Sequence, residues 1–480
     1  MALATSDMTM SYARLHHLAD RHADALMSAR GPAGPVAVVC DTDGGAIPLV
    51  LGALRTGRPV VLLPGGPTAS VRETSLRYTG CSRIAWPGAR PEDVRVELLE
   101  PSAEAPLSEA SLVFCTSGST GHPKLVPLGD PALCRFADWA SARFGIGEGT
   151  KVLSYAPLNF DLSLLEVWTT LSRGGTVIGA TGPALRDAER LARLVGKWQP
   201  EVIEGVPVLY ERLARGLPAL AADGAPTARH VIMTGDNTPQ PTRRAVREMF
   251  PSATYYNVYG STETNDSLVA VLDGEQMVAD HVPLGEPLPG VDIRLVADDG
   301  GELAGPGVAE LYVVTPFQTA GYIDPAGRYD GSFVEGGRDG PGAFGSTYFR
   351  SGDLVERRSD GSLWFVGRRD FRVKVRGVSV DLEDVEDVLL RMDAVVEAVA
   401  LPWNGSGDTS VAAVIRTDPD RTVSSVEVRR FCASRVEPAA VPFRIVFADR
   451  PLPRTSTGKI DRNAAVRFLP APSRTTAPAD

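Results

Sequence analysis

The sequence predicts an α/β protein with a large N-terminal domain and a small α+β C-terminal domain. In the first part of the chain, short apolar runs alternate with helical segments, which is typical of a largely parallel sheet. After about residue 280 strands and turns follow one another, and after residue 367 two short strands precede a helix. A chain of 480 residues is too long for one hydrophobic core, which supports more than one domain.

Each element of this prediction follows from a local pattern. The N-terminal stretch has no apolar signal core, and it places Leu15, Leu18 and Leu26 on one side of a helix. Buried strands are predicted at residues 34–41, 58–64, 150–157, 174–180 and 229–235, with a helix at 45–57. The strands after residue 280 predict a small β-barrel. We therefore expect a large domain over residues 1–367 and a small one over 368–480, with a disordered tail from about 470.

Composition and charge argue against several functional classes. The net charge of −10 gives no support for binding to nucleic acid or to an anionic membrane. No uninterrupted apolar stretch reaches the ~18 residues of a membrane span. The five cysteines are scattered and odd in number, which is typical of reduced core thiols. We therefore expect a cytoplasmic protein.

The stretch VFCTSGSTGHPKLV (113–126) places a loop of small hydroxyl residues and glycines between two apolar runs. Glycines let several backbone N–H groups point at one anion, and the hydroxyls and the lysine add further donors. The candidate phosphate-binding residues are Thr116, Ser117, Gly118, Ser119, Thr120, Gly121 and Lys124. The spacing does not match the P-loop motif. A serine- and glycine-rich hairpin loop would contain the same residues, so the loop alone does not decide between the two.

Five stretches in a fixed order decide between a phosphate-binding loop and a plain hairpin loop. They are LVFCTSGSTGHPKLVPL, NFDLSLLEVW, NVYGSTETND, YFRSGDLVERRSDGSLWFVGRRDFRVKVRGVSVDLEDVE and PLPRTSTGKIDR. Together they resemble the adenylate-forming superfamily, and within it the stand-alone amino-acid adenylation enzymes of nonribosomal peptide and macrolactam biosynthesis. The resemblance runs from about residue 10 to residue 468. One such motif is weak support, whereas five in the correct order are specific.

The resemblance implies an ATP site, and the residue types suit one. Tyr259 offers a ring on which a base can stack, and Glu263 offers a hard carboxylate oxygen suited to Mg²⁺. By resemblance, Thr262 contacts the α-phosphate, Glu263 holds the Mg²⁺ of ATP, Asp353 binds the ribose and Arg368 contacts the nucleotide. Further implied ATP-binding residues are Gly235, Asp236, Asn257 and Gly260.

The tail motif contributes Lys459, which by resemblance bridges the substrate carboxylate and the ATP phosphate during adenylation. A cation is required because a carboxylate that attacks a phosphoryl group brings two anions together. With Thr262 and Glu263, Lys459 completes the candidate catalytic set. Asp370 occupies the family's hinge position before the mobile small domain, and aspartate tolerates the unusual backbone angles of a pivot.

The stretch NFDLSLLEVW (159–168), predicted as a helix, narrows the substrate class. In the amino-acid branch of the family, an aspartate at the position of Asp161 pairs with the substrate ammonium. A buried carboxylate requires a cationic partner, which the substrate would supply. Glu204 and Asp266 add two acids, which favours a second positive or hydrogen-bonding group on the substrate. The pocket positions carried over from the family are Asp161, Leu162, Leu165, Glu204, Ile232, Thr234, Val258, Asp266 and Ser267.

The substrate class stays open at this point. A basic or diamino α-amino acid and a β-amino acid are equally favoured, ahead of a neutral polar amino acid. The resemblance implies ATP and Mg²⁺ as cofactors and transfer in trans to the phosphopantetheine thiol of a separate carrier protein. A small helper protein is a further candidate partner. An acyl-CoA synthetase and an inactive nucleotide-binding homologue are the alternatives, and Asp161 argues against the first and Lys459 against the second.

Overall fold

The structure, a computed structural model, describes residues 1–29, 31–40, 45–65, 69–100, 107, 109–117, 123–185, 187–216, 226–324, 327, 331–336, 347–375, 378–403, 410–436, 438–455 and 459–470. The chain divides into two compact units. The large unit contains residues 1–294 and 312–351, and the small unit contains residues 295–311 and 352–480. The predicted α/β class with a large N-terminal and a small C-terminal part is confirmed. The boundary at residue 367 stays a prediction, and the predicted tail lies almost entirely outside the described residues.

The principal sheet of the large unit has nine strands within the described residues, and its central strands are parallel. In spatial order the strands are Glu286–Pro287, Asn265–Leu272, Thr254–Ser261, His230–Thr234, Val202–Gly205, Lys151–Ser154, Thr176–Gly179, Leu3–Ala4 and Thr9–Met10. Three of the predicted strands are among them. The side chains of the central strands are nearly all buried, as expected where helices cover both faces of a parallel sheet.

A second sheet of the large unit has six strands within the described ranges. In spatial order they are Val94–Leu98, Arg83–Pro87, Val36–Cys40, Val60–Pro64, Leu112–Ser117 and Pro123–Leu128. The inner pairs are parallel and the two edge pairs are antiparallel. The last antiparallel pair contains the residues that flank the candidate phosphate-binding loop in the sequence.

Helices connect the parallel strands of the large unit. They are Tyr12–Ser28, Ala46–Arg55, Ala69–Thr79, Asp130–Phe144, Thr170–Ser172, Ala188–Trp198, Pro207–Arg215 and Gln240–Met249, with a π-helical segment at Leu164–Thr169 and 3-10 turns at Gly182–Leu185 and Gln276–Val278. The first of them buries Leu15, Leu18 and Leu26, as the sequence predicts. No described helix combines the length and the apolar character that crossing a membrane requires.

One cysteine departs from the prediction of core thiols. Four of the five cysteines are buried, but Cys134 is exposed. It lies on the helix Asp130–Phe144, which buries Phe136, Ala140 and Phe144. Those three positions are four residues apart and share one helical face, so a residue two positions before Phe136 lies on the opposite face.

Three strands contain the points at which the chain passes between the units: Asp292–Val296, Gly307–Val314 and Thr347–Arg357. In the large unit, Phe333–Glu335 pairs antiparallel with the beginning of Thr347–Arg357. In the small unit, Leu363–Arg368 pairs antiparallel with its end. These pairings confirm strands in this region, and the small β-barrel stays a prediction.

The small unit also contains a compact α+β element, as predicted. Strands Val395–Trp403, Ser410–Thr417 and Arg444–Phe447 form one sheet, and Arg372–Val375 pairs with Val378–Asp381. The helices are Leu382–Leu390, Ser425–Ala433 and Arg462–Ala465, with 3-10 turns at Arg369–Phe371 and Val466–Phe468. A buried apolar core that includes Val385, Leu389 and Ile415 joins the first two helices to the sheet.

We expect Gly285→Ala to destabilise the large unit more than Gly149→Ala. Both glycines have left-handed backbone angles, with φ of +87° and +79°. A Cβ atom at Gly285 would lie 2.0 Å from the carbonyl oxygen of Val269, whereas one at Gly149 would meet nothing within 4 Å. Gly149→Ala should cost ~1–2 kcal/mol from backbone strain alone, and Gly285→Ala about 1–3 kcal/mol more from overlap. Chemical unfolding of both variants measures the difference, and equal losses would contradict the close approach.

Candidate active site

The candidate phosphate-binding loop connects two paired strands at the edge of the six-stranded sheet. Leu112–Ser117 and Pro123–Leu128 are antiparallel, and Thr116 pairs with Lys124. Gly118, Ser119, Thr120 and Gly121 lie outside the described residues, as do the side chains of Thr116 and Ser117. Their assignment to phosphate therefore stays a prediction from the sequence.

Lys124 and Glu263 lie close together in the large unit. The Lys124 Nζ atom is 3.8 Å from Glu263 Oε1, and Glu263 is 7% exposed. Tyr322 joins them, because its hydroxyl donates to Glu263 Oε1 and lies 3.3 Å from Lys124 Nζ. Sequence reasoning missed Tyr322, which is 59 residues from Glu263 along the chain and has no local pattern that links it to an acid. The structure thus brings a cation, a carboxylate and a phenol into one site.

A tight hairpin between two long strands presents Thr262 and Glu263. A Cβ atom at Gly260 would lie 2.3 Å from the carbonyl oxygen of Asn265, so this approach requires glycine. Asn265 itself has a left-handed φ of +53°, and its amide donates to the carbonyl of Phe317 at 2.8 Å. Hydrogen bonds to residues 315–317 therefore fix the position of the hairpin.

The remaining nucleotide candidates of the large unit lie at the carboxyl ends of neighbouring strands. Gly235 follows the strand His230–Thr234 with a φ of +78°, and the carboxylate of the exposed Asp236 accepts from the backbone N–H of Asn237. The Asn257 amide donates to the carbonyl of Pro283 at 2.9 Å. Tyr259 is half-buried on the strand Thr254–Ser261. Ligands of open α/β sheets bind at this edge, where the strands end.

Glu263 fits a magnesium ion held mainly by substrate oxygens. Mg²⁺ commonly uses one or two protein carboxylates and completes its octahedron with phosphate oxygens and water. Glu263 supplies one carboxylate beside the hydroxyl-bearing Thr262, and both are 7% exposed. Lys124, 3.8 Å away, adds positive charge suited to the same phosphates.

Four carboxyl groups of the large unit interact electrostatically, and we call them the acid cluster: Asp161, Glu166, Glu204 and Asp266. Glu166 and Glu204 are 0% and 2% exposed, whereas Asp161 and Asp266 are half-buried. Burial raises the pKa of Glu204 well above its ordinary range, and the carboxyls of Asp266, Glu166 and Asp161 raise it further. Burial, with the charge of Asp161, raises the pKa of Asp266 to about 7. Glu204 therefore interacts electrostatically with the other two acids that the sequence assigned to the substrate pocket. Their role in binding the substrate stays a prediction.

Glu166 is the member of the acid cluster that sequence reasoning missed. It is completely buried, and burial raises its pKa to about 8. Its carboxylate accepts from the backbone N–H groups of Tyr155 and Ala156, at 3.1 and 3.0 Å. It belongs to the π-helical segment Leu164–Thr169, and such segments are frequent at functional sites. The signal available in the sequence was a glutamate between apolar residues of a buried stretch.

The predicted helix at 159–168 begins later than expected. Asp161 and Leu162 lie in the turn before the helical segment, and Leu165 lies inside it. A turn frees side chains from helical spacing, which lets Asp161 lie at the cluster while Leu165 is completely buried in the core.

The other predicted pocket residues are mostly buried on neighbouring strands. Ile232, Thr234 and Val258 are 0%, 4% and 3% exposed. Ile232 pairs with Glu204, and Thr234 pairs with Val258, so these residues lie near the acids. Ser267 is completely buried, and its hydroxyl donates within the 260–267 hairpin, to the carbonyl of Asn265 at 3.1 Å. The surroundings of Ser267 therefore indicate a structural role besides the predicted one.

In the small unit, Asp353 and Arg368 form an ion pair. Their strands are antiparallel partners, and Arg368 Nη1 lies 2.6 Å from Asp353 Oδ1. Asp353 is 7% exposed, so the arginine holds the carboxylate in one orientation. The side chain of Asp370 lies outside the described residues. Its role as a hinge stays a prediction.

Lys459 lies in a short hairpin of the small unit, and its side chain is exposed. Arg454 pairs with Ile460, and the backbone N–H of Thr455 donates to the carbonyl of Lys459 at 2.8 Å. Ion pairs within the unit secure both ends of this hairpin: Arg454 with Glu397 at 2.8 Å, and Arg462 with Glu386. The lysine is thus an exposed side chain on an anchored backbone.

Two family models match the chain. The one described as AMP-binding enzyme matches residues 85–323, and the one described as AMP-binding enzyme C-terminal domain matches residues 384–459. Phenyloxazoline synthase MbtB of Mycolicibacterium paratuberculosis is 31% identical over 96% of this chain, which spans 40% of the length of that relative. The D-alanine–D-alanyl carrier protein ligase of Bacillus velezensis is 26% identical, with 96% of this chain and 95% of the ligase covered.

Solved structures share the fold. The chain superposes on holo-AB3403, a four-domain nonribosomal peptide synthetase bound to AMP and glycine, with a TM-score of 0.78. The identity is 21%, and the match covers 99% of this chain and 36% of that chain. At this identity the likeness shows the fold alone.

We expect Asp266→Asn to flatten the pH dependence of stability in the absence of ligand. The pKa of Asp266 is raised from 3.8 to about 7, so the folded protein binds this proton more tightly than the unfolded chain. Stability should therefore fall as the pH rises from about 4 to about 7. Without this carboxyl, the decrease in the free energy of unfolding over this pH range should be smaller by on the order of 1 kcal/mol or more.

Urea unfolding at pH 5 and pH 7.5 measures the effect. Asp24→Asn, which changes an exposed aspartate on the first helix, is the matched control and should keep the wild-type pH dependence. An Asp266→Asn variant with an unchanged pH dependence would show that this carboxyl is already ionised in the folded protein.

Proposed function

This chain belongs to the AMP-binding enzyme family, and from that premise we propose that it is an amino acid–carrier protein ligase. In the first half-reaction the amino acid carboxylate attacks the α-phosphate of ATP, giving aminoacyl-AMP and pyrophosphate. In the second, the phosphopantetheine thiol of a separate carrier protein attacks the acyl carbon, forming a thioester and releasing AMP. The natural-product setting that the sequence suggests is part of this proposal.

The acid cluster is the observation that supports an amine-bearing substrate. Buried carboxylates are unfavourable unless a cation compensates them. The ammonium of an amino acid, held by Asp161, is such a cation. A simple acyl substrate would bring another carboxylate and no compensating charge, which disfavours the acyl-CoA synthetase reading. A basic or diamino α-amino acid and a β-amino acid both satisfy this requirement.

The nucleotide chemistry needs positioning and positive charge and no general base, because the attacking carboxylate is already ionised. Lys124 and Thr262 act on phosphate oxygens, with Glu263 as the carboxylate that binds Mg²⁺. Mg²⁺ held by Glu263 would neutralise charge on the phosphates. Lys459 acts on the substrate carboxylate and the α-phosphate. The exposed ammonium of Lys459 and the anchored hairpin that carries it support this role.

The relatives support transfer to a carrier protein. One of them is named for that reaction, with D-alanine as its substrate, and 95% of its length is covered. This ligase acts on an amino acid by name, which agrees with the acid cluster of this chain. Delivery in trans to a separate carrier protein is our extension of these observations.

We expect Lys459→Ala to lower adenylation strongly and to spare thioester formation from supplied aminoacyl-AMP. The lysine stabilises the encounter of carboxylate and phosphate, which occurs only in the first half-reaction. Losing one such charge should lower adenylation about 10²–10³-fold. Amino-acid-dependent pyrophosphate exchange measures the first step, and thioester formation on a carrier protein measures the second. Lys151→Ala is the control, and equal losses in both steps would refute the role.

We expect Asp161→Asn to lower exchange with every amino acid. The substitution keeps the size of the side chain and removes the charge that pairs with the ammonium. Breaking a buried ion pair costs ~3–5 kcal/mol, so kcat/KM should fall more than about 100-fold. Activity with a carboxylic acid that lacks an amine, unaffected by Asp161→Asn, would overturn the amino-acid assignment.

A further inference from the structure

Two groups of the chain approach one oxygen of Glu263, the carboxylate assigned to Mg²⁺. The Tyr322 hydroxyl donates to Oε1, and the Lys124 Nζ atom lies 3.8 Å from the same oxygen. The first contact is a hydrogen bond, whereas 3.8 Å is too long for one. The ammonium instead donates to the Tyr322 hydroxyl at 3.3 Å. The phenol therefore lies between the cation and the carboxylate.

Hydrogen bonds tie the segment that carries Tyr322 to both neighbouring elements. The backbone N–H of Thr319 donates to the carbonyl of Glu263 at 3.0 Å. The backbone N–H of Ile323 donates to the carbonyl of Leu125 at 3.0 Å, on the strand that carries the lysine. The phenol thus has a defined position between the hairpin and that strand.

The phenol and the ammonium act differently on the carboxylate. A phenol carries no charge at neutral pH, so its hydrogen bond orients Glu263 and leaves the negative charge in place. A direct ion pair with Lys124 would compensate that charge and would hold the ammonium away from the phosphates. The two side chains are 25% and 9% exposed, so solvent would screen such a pair only in part. The ion pair would therefore compete with Mg²⁺ for the carboxylate.

We propose that Tyr322 is a positioning residue of the magnesium site. Its hydroxyl holds Glu263 by one oxygen and keeps Lys124 from forming a direct ion pair with that carboxylate. Glu263 then remains available to Mg²⁺ through its other oxygen, and Lys124 remains available to the phosphates. This inference rests on the proposed function, in which Glu263 binds the metal, and it adds a residue that the sequence motifs did not supply.

The substitution Tyr322→Phe removes the hydroxyl and keeps the ring, which packs edge-on against Phe333 with the ring centroids 5.5 Å apart. Calorimetric titration with α,β-methylene-ATP, which cannot be cleaved to AMP, measures nucleotide binding without turnover. The ratio of the Kd in EDTA to the Kd in saturating Mg²⁺ gives the enhancement of binding by the metal. We expect Tyr322→Phe to lower this ratio about tenfold, because a hydrogen bond to a charged group is lost.

The control is Tyr348→Phe. It removes another phenol of the large unit that donates to a carboxylate, that of Asp292. This variant should keep the wild-type ratio, whatever its effect on the free energy of unfolding. An unchanged ratio in Tyr322→Phe, or equal decreases in both variants, would overturn the positioning role.

A double-mutant cycle with Lys124→Met tests the part played by the lysine. In that background Tyr322→Phe should change the ratio less than about threefold, because no ammonium remains to take the place of the hydroxyl. The full tenfold decrease in that background would overturn the proposal that the phenol acts against Lys124.

The same titrations separate this inference from the proposed function. A wild-type protein that binds the analogue equally well with and without Mg²⁺ would refute the assignment of Glu263 to the metal. A wild-type protein whose dependence on Mg²⁺ persists unchanged in Tyr322→Phe would refute the role of Tyr322 alone. Amino-acid-dependent pyrophosphate exchange by the wild-type protein tests the proposed function independently of both results.

Discussion

Burial of carboxyl groups without a cation from the chain is the constraint on which the site depends. Glu204 lies on a central parallel strand, where helices and neighbouring strands exclude water, and it is 2% exposed. An aliphatic residue there would stabilise the sheet, because a buried carboxyl without a cation must either hold a proton or carry an uncompensated charge. We expect the ammonium of the bound substrate to supply the positive charge that Glu204 lacks in the ligand-free protein.

The fold supplies what keeps these acids in place. Glu204 lies near the carboxyl end of the strand Val202–Gly205, beside the strand His230–Thr234 that precedes Gly235. Asp161 lies in the turn before the π-helical segment. Glu166 joins the π-helical segment to the end of the strand Lys151–Ser154, because its carboxyl group accepts from the backbone N–H groups of Tyr155 and Ala156. Local features that weaken a fold are common where a protein binds its ligand.

Much of the fold and part of the site could be predicted from the sequence. Apolar runs identified the parallel strands, and the motifs supplied Glu263, Asp161 and Lys459 as candidate site residues because each stands in a recognisable local pattern. Tyr322 and Glu166 could not be found in this way. Their roles depend on contacts with residues distant in the chain or on burial, which no local pattern specifies. The start of the helix after Asp161 was also missed, because a turn and a first helical turn use similar residues.

Proton release on substrate binding tests the central claim most directly. The pKa of Asp266 is about 7 and that of Glu166 about 8 in the ligand-free protein, so the cluster holds protons at neutral pH. Calorimetric titration with the preferred amino acid, in two buffers of different ionisation enthalpy at pH 7, measures the protons exchanged. A cation that enters the cluster should release protons, on the order of one per site. Binding with no proton exchange would contradict the account, because the acids would then be ionised before the substrate arrives.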